Sequence, residues 1–194
     1  DDKTVINQED GSVVKIGKDE EGHTIVSVEL PVDLDKTHVT LKDMIDSDLV
    51  PIDLKTGKPI ILSAAIDNNL KLMVANSTEL VLKPMTKTYK DTANHWSKDA
   101  ISFTSVRDIF KGTSEDEFSP DKSMTRGMIF TVLARVDGQD TNTDKQWYDA
   151  GKQWAVENGL SDGARIGDNV TREELVTLLY RYVGQPDVSN DLEA

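Results

Sequence analysis

Apolar and polar residues alternate along much of the first 88 positions. In His23-Thr24-Ile25-Val26-Ser27-Val28-Glu29-Leu30, the residues Val26, Val28 and Leu30 fall on one side of an extended chain. Val13-Val14-Lys15-Ile16, Pro59-Ile60-Ile61-Leu62, Leu70-Lys71-Leu72-Met73-Val74 and Glu79-Leu80-Val81-Leu82 continue the series as short strands. Asp67-Asn68-Asn69 and Ala75-Asn76-Ser77-Thr78 supply turns, and Lys55-Thr56-Gly57-Lys58 predicts a hairpin connection. After Thr88 the period changes. Lys98 to Phe110, Arg126 to Val136, Ala150 to Asn158 and Arg172 to Val183 carry helical spacing, joined by Gly-, Ser- and Asp-rich connectors.

The aromatic residues divide the chain at the same place. All 11 Phe, Trp and Tyr lie at or after Tyr89. Pro84 stops the last apolar run of the first part. The expected fold class is therefore multidomain α and β. A small all-β, sandwich-like domain over residues 1–86 precedes all-α helix–loop–helix repeats at 89–138 and 139–184, and 185–194 reads as a linker toward a further repeat.

The repeat is visible in the residues themselves. An offset of 51 pairs Trp96 with Trp147, Phe103 with Trp154, Ile109 with Leu160 and Gly112 with Gly163. An offset of 46 then pairs Thr125-Arg126 with Thr171-Arg172, Leu133 with Leu179, Arg135 with Arg181 and Gly138 with Gly184. Thr171 and Glu174 have the spacing of a capping box. Arg126 and Arg172 then stand in the first turn of a helix, where the dipole repels a cation and favours an anion. Two readings of those arginines stand side by side: each pairs with a local carboxylate, or each meets an anionic ligand.

Composition narrows the function classes. The formal net charge is −13, from 22 Lys and Arg against 35 Asp and Glu, which disfavours nucleic acid and anionic membrane surfaces as partners. No apolar window reaches the ~18 residues of a membrane-spanning helix, so membrane insertion is not expected. With no cysteine, thiolate catalysis, disulfides and cysteine metal sites drop out. His23, His38 and His95 have no metal-ligand spacing, and Asp33-Leu34-Asp35 and Glu115-Asp116-Glu117 lack the pattern of a calcium loop. Neither metal, cofactor nor enzymatic activity is expected. The chain starts at Asp1 without a leader and reads as a piece of a longer exported protein.

The run Tyr89-Lys90-Asp91, His95-Trp96, Ala100-Ile101, Gly112, Phe118-Ser119-Pro120 and Met124-Thr125-Arg126 resembles the S-layer homology family. Trp154-Ala155-Val156-Glu157-Asn158-Gly159-Leu160 and Thr171-Arg172-Glu173-Glu174 resemble it more closely still. The first 88 residues look like the small β segment that precedes such repeats in Firmicutes surface proteins. The resemblance implies helices given to a central bundle, with grooves that bind an anionic secondary cell-wall polysaccharide, often one bearing a pyruvate ketal. It implies non-covalent anchoring at the surface of a Gram-positive bacterium. A third repeat in cis, or repeats of neighbouring chains, would be further partners. Carried over residue by residue, it points to Arg126 and Arg172 with their motif partners Thr125 and Thr171, and to Trp96 and Trp147 as groove walls. Met128 stands where the motif has an acid. Two other roles compete: a carbohydrate-binding accessory module of a glycan-degrading enzyme, and a structural self-assembly module.

Overall fold

The computed structural model describes residues 4–43, 48–143 and 146–185. The chain divides into two compact units, Asp1–Pro120 and Asp121–Ala194. The expected linker at 185–194 lies, Gln185 apart, outside the described residues.

Among the described residues, the first unit holds eight strands: β1 (Thr4–Asn7), β2 (Val13–Lys18), β3 (Thr24–Glu29), β4 (Thr37–Leu41), β5 (Leu49–Asp53), β6 (Ser63–Ile66), β7 (Asn69–Val74) and β8 (Thr78–Pro84). They form a five-stranded sheet in the order β1-β2-β3-β8-β5 and a three-stranded sheet in the order β4-β7-β6, with every pairing antiparallel. Period-2 alternation sends Val26 and Val28 of β3, Val39 and Leu41 of β4, Leu70, Leu72 and Val74 of β7, and Leu80 and Leu82 of β8 into one aliphatic cluster. Both sheets feed that cluster, so it is the layer between them. The β6–β7 hairpin turns at Asp67 and Asn68, both with positive φ, the conformation a two-residue type I′ turn requires.

Residues 59–62 are not the strand that their apolar run predicts. Pro59 makes a single bridge to Ile52, and Ser63 closes a turn by donating its Oγ–H to the Ile60 carbonyl. The segment carries the chain from β5 in one sheet to β6 in the other. A proline without an N–H suits a crossover better than a ladder.

Helix α1 (Lys98–Val106) belongs to the same compact unit as the sheets. It buries Ile101 and Val106. The next residue, Arg107, is wholly buried. Its Nε donates to the Ser63 carbonyl at 2.9 Å, its Nη1 to the Phe103 carbonyl at 3.2 Å, and its guanidinium lies 3.9 Å from the Phe103 ring centre. Burial lowers its pKa. Residues 107–125 then run without helix or strand up to the Thr125 bridge. They are held by the Asp91 carboxylate, which accepts from the Phe118 and Ser119 N–H groups. Tyr89 packs on Phe118 beneath this loop. Gly112, at φ +74°, leaves no room for a Cβ beside the Tyr89 ring.

The second unit contains α2 (Arg126–Val136), α3 (Asp149–Glu157) and α4 (Arg172–Tyr182). Ile129, Phe130, Leu133 and Ala134 of α2 meet Trp154 and Ala155 of α3, Leu160 and Leu178 in one core. Gly151 brings α3 against α2, and a Cβ there would stand 2.7 Å from the Thr131 Cα.

An all-β domain followed by all-α repeats is therefore not what forms. The chain is mixed. Among the described residues, the part after Tyr89 has four helices of nine to eleven residues, and its connectors include β-type backbone pairing. Thr125 bridges Asn169, and the Val170 N–H donates to the Met124 carbonyl. The physical reason is polar satisfaction. Helices this short leave long connectors whose backbone groups must be paired where they are buried.

Gly151→Ala tests the α2–α3 contact. Helix propensity alone predicts a gain of about 1 kcal/mol. The collision with the Thr131 backbone reverses that sign, and a net destabilisation of about 1–3 kcal/mol is expected. Urea unfolding followed by tryptophan fluorescence measures it, and a more stable variant would refute the packing.

Candidate functional site

Both second helices start alike. Thr125 is extended, at φ −84° and ψ 164°, and its Oγ1 accepts from the Met128 N–H. Thr171 is extended at φ −83° and ψ 166°, and its Oγ1 accepts from the Glu174 N–H. Glu174 closes a full capping box, since its Oε2 accepts from the Thr171 N–H at 3.0 Å. At the first helix, the Thr125 N–H reaches only the Met128 sulfur, at 3.5 Å. Both threonines thus act as caps.

The two arginines that follow have different surroundings. The Arg126 side chain is 8% exposed and fully engaged. Its Nε donates to the Ala164 carbonyl at 3.0 Å, Nη1 to Glu174 Oε1 at 2.8 Å and Nη2 to Ser161 Oγ at 2.9 Å. Asp162 lies 3.5 Å from Nη2. The backbone around it is spoken for as well, since the Arg126 N–H donates to the Asp168 carbonyl and the Gly127 N–H to that of Ile166. Arg172 is exposed, and among the described residues its guanidinium has no hydrogen-bond or ion-pair partner.

A cavity of about 370 Å³ opens beside Arg126, lined also by Ser161, Asp162, Glu173, Glu174 and Arg181. That size lies in the range of small-molecule sites, ~300–1,000 Å³. Arg165 reaches Glu174 Oε1 at 2.6 Å, so one carboxylate oxygen serves two guanidiniums. The Glu174 carboxyl is held below its ordinary pKa, chiefly by the Thr171 N–H; burial opposes this, and Arg165 and Arg126 add to it. Asp162 is also lowered, first by the Ala164 N–H. Arg181 donates to the Leu160 carbonyl, and Arg135 to Thr141 Oγ1. Both arginines hold loops in place.

Trp96 is 91% exposed just before α1, its ring 5.6 Å from that of His95. Trp147 is half exposed before α3 and packs edge-on against Tyr148. Trp154 is buried and donates its Nε1–H to Asp137. Ser161, Asp162, Arg165 and the Ala164 carbonyl are the members of the site that sequence reasoning does not single out. The one local signal for them is the Ser161-Asp162-Gly163 turn, in which Asp162 Oδ1 accepts from the Ala164 N–H. Among the described residues no three His, Asp or Glu side chains could hold a metal ion.

Comparison with known proteins places part of this arrangement. Residues 88–127 match the S-layer homology domain. The segment is similar to that family. It runs from the Tyr89 loop through α1 to the first turn of α2. An amylopullulanase of Thermoanaerobacterium thermosulfurigenes is 27% identical over 108 residues, 49% of this chain and 6% of that protein. Endo-1,4-beta-xylanase A of Thermoanaerobacterium saccharolyticum is 29% identical over 102 residues, 45% of this chain and 9% of the enzyme. The surface-layer 125 kDa protein of Lysinibacillus sphaericus is 28% identical over 120 residues, 52% of this chain and 10% of that protein. The matched stretch is thus a tenth or less of each relative's length.

The ion pairs at Glu174 set a pH dependence. A carboxyl whose pKa is lowered on folding contributes stability above its unfolded pKa, and loses that contribution as pH falls through the lowered value. Urea midpoints measured from pH 7 down to pH 3 should therefore fall for the natural chain and fall less steeply for E174Q. Parallel profiles would show that the network carries no linkage.

Proposed function

We propose that the chain is a non-covalent anchoring module that holds a larger exported protein to an anionic cell-wall polysaccharide of a Gram-positive bacterium. One observation carries this reading. Arg126 is found gripping a carboxylate, while Arg172, at the same motif position, stands exposed with no partner among the described residues. A guanidinium is suited to bidentate recognition of a sugar carboxylate. The exposed faces of Trp96 and Trp147 are apolar platforms of the kind that sugar rings stack on. Thr125 and Thr171 fix the two helix starts and thereby aim the arginines. Residues 1–86 serve as a spacer in this reading, with 89–138 and 139–184 as successive repeats. The module binds and does not catalyse, and it works at the cell surface.

Two further readings each have an observation behind them. Two of the relatives are named for glycan-degrading enzymes, which favours an accessory module that binds dietary or host glycans. A glycan array separates it from wall anchoring. The second reading rests on α4. Val176 and Tyr180 are exposed there, whereas their counterparts in α2, Phe130 and Ala134, are buried in the core shared with α3. That face suits a further helical unit, supplied by a third repeat or by a neighbouring chain. Light scattering should then show concentration-dependent association, and a monomer at high concentration argues against neighbouring chains.

The direct test is co-sedimentation with purified cell walls, before and after extraction of the wall polysaccharide. Binding should vanish on extraction. Arg172→Ala should weaken it by roughly tenfold or more, the ~1.5–3 kcal/mol of a charged hydrogen bond, with circular dichroism unchanged. Wall binding that ignores both extraction and the substitution would remove the proposal.

A further inference from the structure

The cavity beside Arg126 is not open to an anion as it stands. Arg126 and Arg165 both donate to Oε1 of Glu174, at 2.8 and 2.6 Å. Asp162 and Glu173 also line it, and Arg181 is turned to the Leu160 carbonyl. A carboxylate simply added to this space would meet three acidic side chains and no uncommitted guanidinium. It could enter only by replacing one of those already there. Glu174 is the member able to give way. Its two oxygens have separate tasks: Oε1 holds the guanidiniums, and Oε2 holds the Thr171 N–H as part of the helix cap. A side chain that releases the first can keep the second, so displacement need not unwind α4.

We propose that Glu174 is an internal stand-in for a ligand carboxylate, and that a carboxylated sugar enters the cavity by taking Arg126 and Arg165 from it. The inference rests on the glycan-binding reading and adds the regulation of one site to it. Arg172 is then a site with no internal competitor among the described residues, and Arg126 is one that must be won from such a competitor. The second discriminates, because only a ligand whose carboxylate matches the geometry of Glu174 recovers what is lost.

The test uses the full chain, with D-glucuronate as the carboxylated probe and D-glucose as its neutral counterpart, titrated by calorimetry. E174Q keeps a side chain able to cap Thr171 but removes the competing charge. It should bind glucuronate at least tenfold more tightly than the natural chain, with glucose binding unchanged. E174D, whose shorter arm falls short of Arg126, should also gain and decides the matter if E174Q fails to fold. Adding Arg126→Gln to either variant should abolish the gain. Glucuronate affinity no higher in the folded variants, or a gain that survives loss of Arg126, overturns the proposal. Co-sedimentation separates this from the anchoring reading. A natural chain that binds walls while the variants gain nothing on glucuronate removes the stand-in and leaves the anchor. Variants that gain while the natural chain ignores walls remove the anchor and leave the stand-in.

Discussion

The second unit is organised by one buried guanidinium. Arg126 begins α2, yet its partners lie 35, 38 and 48 residues further along the chain, at Ser161, Ala164 and Glu174. A cation at the first turn of a helix is repelled by the dipole, and a nearly buried one also loses its water. Both costs are offset only if the later loop and the start of α4 come to it. The backbone follows the same path. The Arg126 and Gly127 N–H groups, orphaned by the helix geometry, are taken up by the carbonyls of Asp168 and Ile166. Side chain and backbone thus fasten α2 to the segment preceding α4. With Gly151 pressing α3 on α2, all three helices acquire fixed places around Phe130 and Trp154.

The same logic explains why Met128 occurs where Glu174 has its counterpart. Glu174 does two things: it completes the cap on Thr171 and it neutralises Arg126. At the corresponding position of α2, Met128 makes only the cap contacts. The Met128 sulfur provides a weak version of the cap for the Thr125 N–H. A half-buried carboxylate without a guanidinium to meet would carry a desolvation cost with little to offset it. A thioether carries none.

How much of this could be read from the amino-acid order varies with the range of the interaction. The helix starts were legible, because Thr125 and Thr171 act on residues three positions away. β3 and β7 were legible, since one face of each is buried and the other is not. β1 was not: all four of its residues are exposed, and no inward face imprints an alternation. β5 was hidden by Pro51, which an edge strand tolerates and a central one does not. The partners of Arg126 were hidden for a different reason. Ser161 and Ala164 are common loop residues, and nothing local marks them as receivers of a guanidinium. Asp91 is similar: it reads as a turn residue, and its work is to hold Phe118 and Ser119, 27 and 28 positions on.

Arg172 repeats the motif of Arg126 without repeating its surroundings. Motif and role therefore separate. Thr-Arg at a helix start specifies the direction in which a guanidinium is presented, and the rest of the chain decides what meets it. Where a loop with Ser161 and an acid at Glu174 are supplied, the arginine becomes an internal fastener. At Arg172 neither is supplied among the described residues, and the same geometry presents a solvated cation. One local pattern can thus be paired internally at one helix start and stand in solvent at another. The difference lies outside the motif, in the residues that follow it.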